Sequence, residues 1–226
     1  AIVAAAVRLM NRGRKKRISQ VLQKNQTGKM LLIFLGIFSA LLKVSLILQT
    51  LGTNDVLYWA QFSDFARNNN IVSIYSDIWY FNPPPLMAVI MWFLGAVSGE
   101  NLWLFSALLR MMSVFADIGS LWLVWALGSL LLGPAQGALT AALFALSPVM
   151  LLVSGAHGNT DPIFMFFVFF AVYAVAAKRA YFLAGLALGL ALNIKIVPLI
   201  VLPAFCIWHV MAAGGWVLAP HLPGGP

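Results

Sequence analysis

The chain has 226 residues, 62% of them hydrophobic and 9% charged, with a formal net charge of +8. Soluble domains carry about 25% charged residues, so this composition identifies an integral membrane protein. The single cysteine, Cys206, excludes a disulfide framework and a cysteine-built zinc site, no GxGxxG or GxxxxGK phosphate loop is present, and the positive charge is too localised to mark a nucleic-acid partner.

That charge sits at the start. Residues 1–29 hold eight Lys and Arg residues and no acid, the pattern that the positive-inside rule expects of a cytoplasmic flank beside membrane lipids. An "NQT" sequon at Asn25 falls in this flank, where the glycosylation machinery would not meet it. Residues 1–7 are too short for the apolar core of a signal peptide, and the first residue is not Met, so the chain is expected to be a piece of a longer protein.

A spanning helix needs roughly 20 mostly apolar residues. Segments 30–52, about 108–132, 161–177 and 181–208 meet that length, and 138–156 reaches it despite Pro148. The sequence therefore predicts an all-α, polytopic transmembrane bundle of about five spans, residues 30–208, followed by a Gly/Pro-rich tail, residues 209–226. Gly185 and Gly189 form a GxxxG pattern, read as a packing seam.

Segment 84–99, "PPLMAVIMWFLGAVSG", is the ambiguous one. Its helix would reach only about 24 Å against a hydrocarbon core of about 30 Å. Charge parity decides against a crossing: if 84–99 stays on one face, Lys178 and Arg179 return to the cytoplasmic side with the N-terminus. Segment 84–99 then lies along the outer surface, and 52–107 becomes a large external loop.

That loop is longer than about 15 residues, and loops of such length are usually functional or disordered. Its aromatic content, Tyr58, Trp59, Phe62, Phe65, Tyr75, Trp79, Tyr80 and Phe81, argues against disorder. Thr53 or Asn54 caps a helix beginning at Asp55, with Tyr58, Phe62 and Phe65 along one face. Asp55 lies on the side of Tyr58 and Phe62, whereas Asp64 is turned away. Two readings of Asp55 stand side by side: an acid favoured by the helix dipole, or a general base in a cleft at the membrane surface.

The later polar residues fall into two groups. In "SGAHGNTDP", residues 154–162, Asn159, Thr160 or Asp161 caps a helix whose first position is Pro162. His157 is not needed for that turn; on the preferred topology it faces the same side as Asp55, beside the positive end of the helix that starts at Pro162. Arg110, near the outer end of its span, is either a contact to a phosphate or a snorkelling side chain. Asp117 and Lys195 are deeper and are expected to pair helices, with each other as one option, while Lys43 is expected to snorkel. A transporter or channel subunit with Lys43, Asp117 and Lys195 along a pathway is the alternative, although no inverted repeat is visible.

The order of these features carries a resemblance. An acid just after the first span, a loop ending "WYFNPPPL", a span beginning "LRMMSVFAD", then "LFALSPVMLLVSGAHGNTDPIF" and "GLALGLALNIKIVPLIVLPAF" resemble the N-terminal half of a C-type (GT-C) glycosyltransferase over residues 30 to about 205. The similarity is to the glucosyl- and mannosyltransferases that use lipid-linked sugars. It implies transfer of a hexose, with inversion, from a polyprenyl or dolichyl phosphate to an acceptor on the non-cytoplasmic side. The membrane is the plasma membrane in a prokaryote and the endoplasmic reticulum in a eukaryote. The resemblance puts the catalytic acid at Asp55, with Trp79, Tyr80, Arg110, His157, Asn159 and Asp161 as candidate substrate-binding residues. Some relatives hold a divalent metal on clustered carboxylates; "NDV" offers one acid, so neither a metal nor another cofactor is expected. Relatives carry more spans than this chain.

Overall fold

The structure is a computed structural model that describes residues 26–213, with side chains from 28 to 207. Most of the basic flank and all of the chain after 213 lie outside the described residues. Every regular element among the described residues is helical, as expected for an all-α membrane protein.

The first helix, α1 (Gln26–Gln49), has no proline and is apolar almost throughout. Its buried residues Leu35, Ser39, Lys43 and Ile47 recur every four positions, while Ile33, Ile37 and Leu41 face outward. That arrangement suits a helix with lipid on one side and protein on the other.

Helix α2 (Asn54–Asn68) follows a tight turn and buries Val56, Phe62, Ser63 and Ala66. The predicted face of Tyr58, Phe62 and Phe65 is thus turned: Tyr58 is exposed, and the small residues Ser63 and Ala66 take the inner side. The reason is the close approach of α4 (Pro85–Ser98). A Cβ on Gly95 would stand 2.0 Å from the Ser63 hydroxyl, so only glycine admits α2 there. Ser63 Oγ donates to the Met91 carbonyl at 2.8 Å, and Arg67 Nη1 donates to the Gly95 carbonyl at 2.7 Å. Between these helices lie α3 (Ile74–Asp77) and an aromatic cluster of Phe62, Tyr75, Tyr80 and Phe81. The Tyr75 hydroxyl donates to the Pro83 carbonyl at 2.9 Å, and burial raises its pKa, so at neutral pH it keeps that proton.

Helix α4 has 14 residues, about 21 Å of rise, and is too short to cross. Its neighbours agree: Ser106, beyond its C-terminus, donates to the Leu51 carbonyl at 2.5 Å, so the segment leaves and rejoins the bundle at one end. The expected short helix that does not span is found.

Helix α5 (Leu102–Leu131) begins at Asn101, whose side chain accepts from Leu104 N at 3.0 Å. It is the longest element and packs against α1, α6 and α8. Helix α6 (Pro134–Ala145) returns along it so closely that a Cβ on Gly137 would meet the Ser129 backbone nitrogen at 2.5 Å. Pro148, which lacks an N–H and forces Ser147 into an extended conformation, then bends the path by 46° into α7 (Pro148–Leu152) and a wide π turn, Val153–His157. Helix α8 (Asp161–Tyr173) leads through a second π turn to Lys178, and α9 (Tyr181–Ile194) comes back.

Two expectations need correction here. The predicted span 181–208 is interrupted: α9 ends at Ile194, Lys195 is extended (φ −153°, ψ 144°), and a 3-10 turn, Val197–Val201, precedes α10 (Leu202–Ala213). Pro198 cannot donate into a continuing helix, which accounts for the break. Three helices are long and apolar enough to cross a membrane (Gly28–Gln49, Leu102–Leu131 and Asp161–Lys178), or four if the bent pair Pro134–Ala145 and Pro148–His157 is one span. The GxxxG seam is also absent among the described residues, since a Cβ on Gly185 or Gly189 would meet nothing within 4 Å.

Candidate active site

The path of the chain gathers its loops at one end. The turn after α1, helices α2–α4, the start of α5, the π turn before α8 and the break after α9 all lie there. Lys29 and Lys178 stand a full helix away.

Two glycines bring the loops together. Gly52 (φ +99°) and Gly158 (φ +79°) sit on either side of the fully buried Val56, and a Cβ on them would stand 2.6 Å and 2.4 Å from Val56 Cγ2. Both the left-handed backbone and the lack of a side chain are required. The consequence is that the start of α2 touches the end of the π turn. Thr53 Oγ1 donates to the His157 carbonyl at 2.7 Å and lies 2.8 Å from His157 Nδ1. A hydroxyl has one proton, so the second contact requires Nδ1 to be the donor. The same nitrogen lies 3.5 Å from Asp55 Oδ2. His157 therefore donates Nδ1–H to Thr53 Oγ1 and stands beside the Asp55 carboxylate, and both the histidine and the aspartate side chains remain nearly half exposed.

Asp55 also forms one edge of an open groove of about 540 Å³, walled by Tyr58, Trp59, Phe62, Trp79 and Tyr80. Trp79 and Tyr80 meet edge to face, 5.6 Å between centroids, and Trp79 is 90% exposed. Broad aromatic walls with one carboxylate suit a ligand that has both apolar C–H faces and hydroxyls.

The other candidates are placed differently. Asn159 closes its own turn: its Oδ1 accepts from Asp161 N at 3.1 Å, and Ser113 Oγ holds its carbonyl at 2.8 Å. Asp161 pairs with Lys195 at 2.5 Å. Arg110 neither snorkels nor reaches the groove. It is fully buried, and all five of its N–H groups are engaged: Nε with the Ser106 carbonyl, Nη1 with Thr50 Oγ1 and the Gly155 carbonyl, Nη2 with the Ile47 and Thr50 carbonyls. Among the described residues no three His, Cys, Asp or Glu side chains gather as metal ligands would.

The deep charges also pair otherwise than expected. Lys43 is buried and bonds Asp117 Oδ2 at 2.6 Å, and Ser154 donates to the same oxygen. Asp117 thus takes Lys43, which does not snorkel, and Lys195 takes Asp161. Removing one member leaves an uncompensated charge among apolar neighbours. Lys43→Met is expected to destabilise the protein by about 3–5 kcal/mol, and adding Asp117→Leu to recover most of that loss. Thermal unfolding in detergent reads both; equal melting temperatures for the wild type and Lys43→Met would contradict it.

Thr53, Gly52 and Gly158 escaped the sequence reading as site residues. Two glycines flanking the polar clusters "TND" and "HGN" were the available signal.

No curated protein and no solved structure matches the chain. Residues 82–222, more than half of it, match the family described as dolichyl-phosphate-mannose-protein mannosyltransferase, so that α4–α10 and His157 lie within the match and Asp55 precedes it. An all-helical membrane architecture and this match lead to one conclusion: the chain belongs to the dolichyl-phosphate-mannose-protein mannosyltransferase family, membrane glycosyltransferases of the GT-C type.

Proposed function

We propose that the protein transfers a hexose, glucose or mannose, from a polyprenyl- or dolichyl-phosphate donor to an acceptor hydroxyl, with inversion, and that Asp55 is the general base. The observation that carries this reading is the meeting of Asp55 and His157 across 102 residues at the rim of the aromatic groove. In the reaction the acceptor oxygen attacks C1 of the sugar. The C1–O bond to phosphate breaks with its electron pair going to the phosphate oxygen, and the hydroxyl proton passes to Asp55. His157, held through Nδ1–H by Thr53 and 3.5 Å from Asp55, flanks the carboxylate, and Nε2 is left free to accept a hydrogen bond from a hydroxyl. Trp79 and Tyr80 supply the surface on which the sugar or acceptor ring rests.

The membrane-embedded protein, given polyprenyl-phosphate glucose or mannose and an acceptor extract, is expected to release polyprenyl phosphate and to leave nucleotide-linked sugars untouched. Turnover of nucleotide sugars alone would sink the reading. In this reading the site faces the non-cytoplasmic side, opposite Lys178 and Arg179, as the positive-inside rule favours. A cysteine at Asn159 in a Cys206→Ser background is expected to react with an impermeant reagent from that side; labelling from the cytoplasm alone reverses the orientation.

The transporter reading finds less support. Lys43 and Asp117 neutralise each other, and the void beside them measures about 10 Å³, room for one water and no pathway.

A further inference from the structure

A phosphate-linked donor brings a negative charge to the site, and that charge needs a cation. Among the described residues Lys29, Lys178 and Arg179 lie at the opposite end of the bundle, and Lys43 is buried against Asp117. Four basic groups remain at the end of the bundle that carries Asp55. Arg110 has every N–H engaged and is fully buried. Arg67 is held between α2 and α4 by the Gly95 and Gly99 carbonyls and by Asp64. His157 directs Nδ1 at Thr53 and Asp55.

Lys195 differs from all of these. Its side chain is 39% exposed, and its ammonium makes one hydrogen bond, to Asp161 at 2.5 Å, and lies 5.9 Å from the centre of the Phe164 ring. It stands at the break between α9 and the 3-10 turn, where Ile196 is 68%, Leu199 53% and Ile200 81% exposed. In a membrane, a cation beside exposed aliphatic side chains is matched to a molecule with an anionic head and a hydrocarbon tail. The chain from Asp161 back to His157 is four residues, which limits their separation to about 14 Å. Lys195 and Asp55 therefore stand at the same end of the bundle, linked through Asp161 and His157.

From this geometry, and resting on the proposed glycosyl transfer, we infer that Lys195 binds the phosphate of the lipid-linked donor and is released from Asp161 as the donor enters. Breaking the C1–O bond changes the phosphate from a diester monoanion to a monoester dianion. A fixed ammonium is therefore held more strongly in the transition state than in the bound donor. Asp161, which would repel an anion, serves as the resting partner that keeps Lys195 in place while the site is empty.

The test uses the whole protein in detergent with a short-chain polyprenyl monophosphate, and the uncharged polyprenol as control. Lys195→Met is expected to lower affinity for the phosphate about 10- to 100-fold and to leave polyprenol binding unchanged, with Lys195→Arg recovering most of the affinity. Asp161→Asn, which removes the competitor, is expected to bind the phosphate as well as the wild type or more tightly. A purely structural pair predicts the opposite, equal losses in Asp161→Asn and Lys195→Met, and that result overturns the inference. So does a Lys195→Met protein that binds phosphate like the wild type. If only these fail while Asp55→Asn still stops transfer, the proposed function survives; if the wild type binds neither lipid, both fall.

Discussion

Asp55→Asn is expected to lower sugar transfer about 10²- to 10⁴-fold, the range associated with loss of a general base, while expression and thermal stability stay at the wild-type level. The two halves of that expectation rest on different observations. Folding depends little on this carboxylate. It sits in the first turn of α2, nearly half exposed, and its polar contact is the 3.5 Å approach of His157. Dipole stabilisation at such a position is about 0.3–1 kcal/mol, and Asn is well tolerated at helix starts. Turnover depends on it much more, because an amide of the same shape cannot take the proton of an attacking hydroxyl. The histidine provides the control. If His157→Ala stops transfer and Asp55→Asn does not, the imidazole is the base and the carboxylate its positioning partner. Retained turnover in both variants removes the site altogether.

How much of this was legible depended on what each feature needed to be seen. That 84–99 forms a helix too short to span followed from its length alone, since 14 helical residues rise only about 21 Å. The face of α2 did not follow. Hydropathy favoured Tyr58 and Phe65, but packing favoured Ser63 and Ala66, because Gly95 of α4 lets two backbones approach where aromatic rings would hold them apart. The meeting of Asp55 with His157 was readable only as a shared side. Its contact is set by Gly52 and Gly158 folding around Val56, a three-way fit that no local pattern encodes. Partner choice among buried charges was least readable of all. Lys43 and Asp117 are 74 positions apart, and which lysine meets which aspartate is fixed by helix register; the break at Lys195 moved that residue out to Asp161. Spacing along one helix gives depth, but not what stands opposite.

Arg110 turns that lesson into the second large effect. Arg110→Met is expected to destabilise the fold by at least about 3 kcal/mol, because several buried acceptors lose their donor at once and each orphaned group costs about 1–3 kcal/mol. The acceptors explain why a charge is tolerated there without a carboxylate. Ile47 is among the last carbonyls of α1, which have no partner within the helix, and Thr50 and Gly155 close the chain turns beside it. A guanidinium at the negative end of α1 is held by the dipole as well as by the bonds. It also ties α1, α5 and the π turn into the frame that carries Asp55 and His157. Lysine is expected not to rescue the loss, since one ammonium cannot cover the positions that a planar fork reaches. Thermal unfolding should therefore show Arg110→Lys and Arg110→Met falling together, with activity lost as a consequence of the displaced turn. Were Arg110 instead a phosphate contact, both variants would melt like the wild type and fail only in affinity for the lipid-linked donor. That pattern would place the head group beside α5 rather than at Lys195.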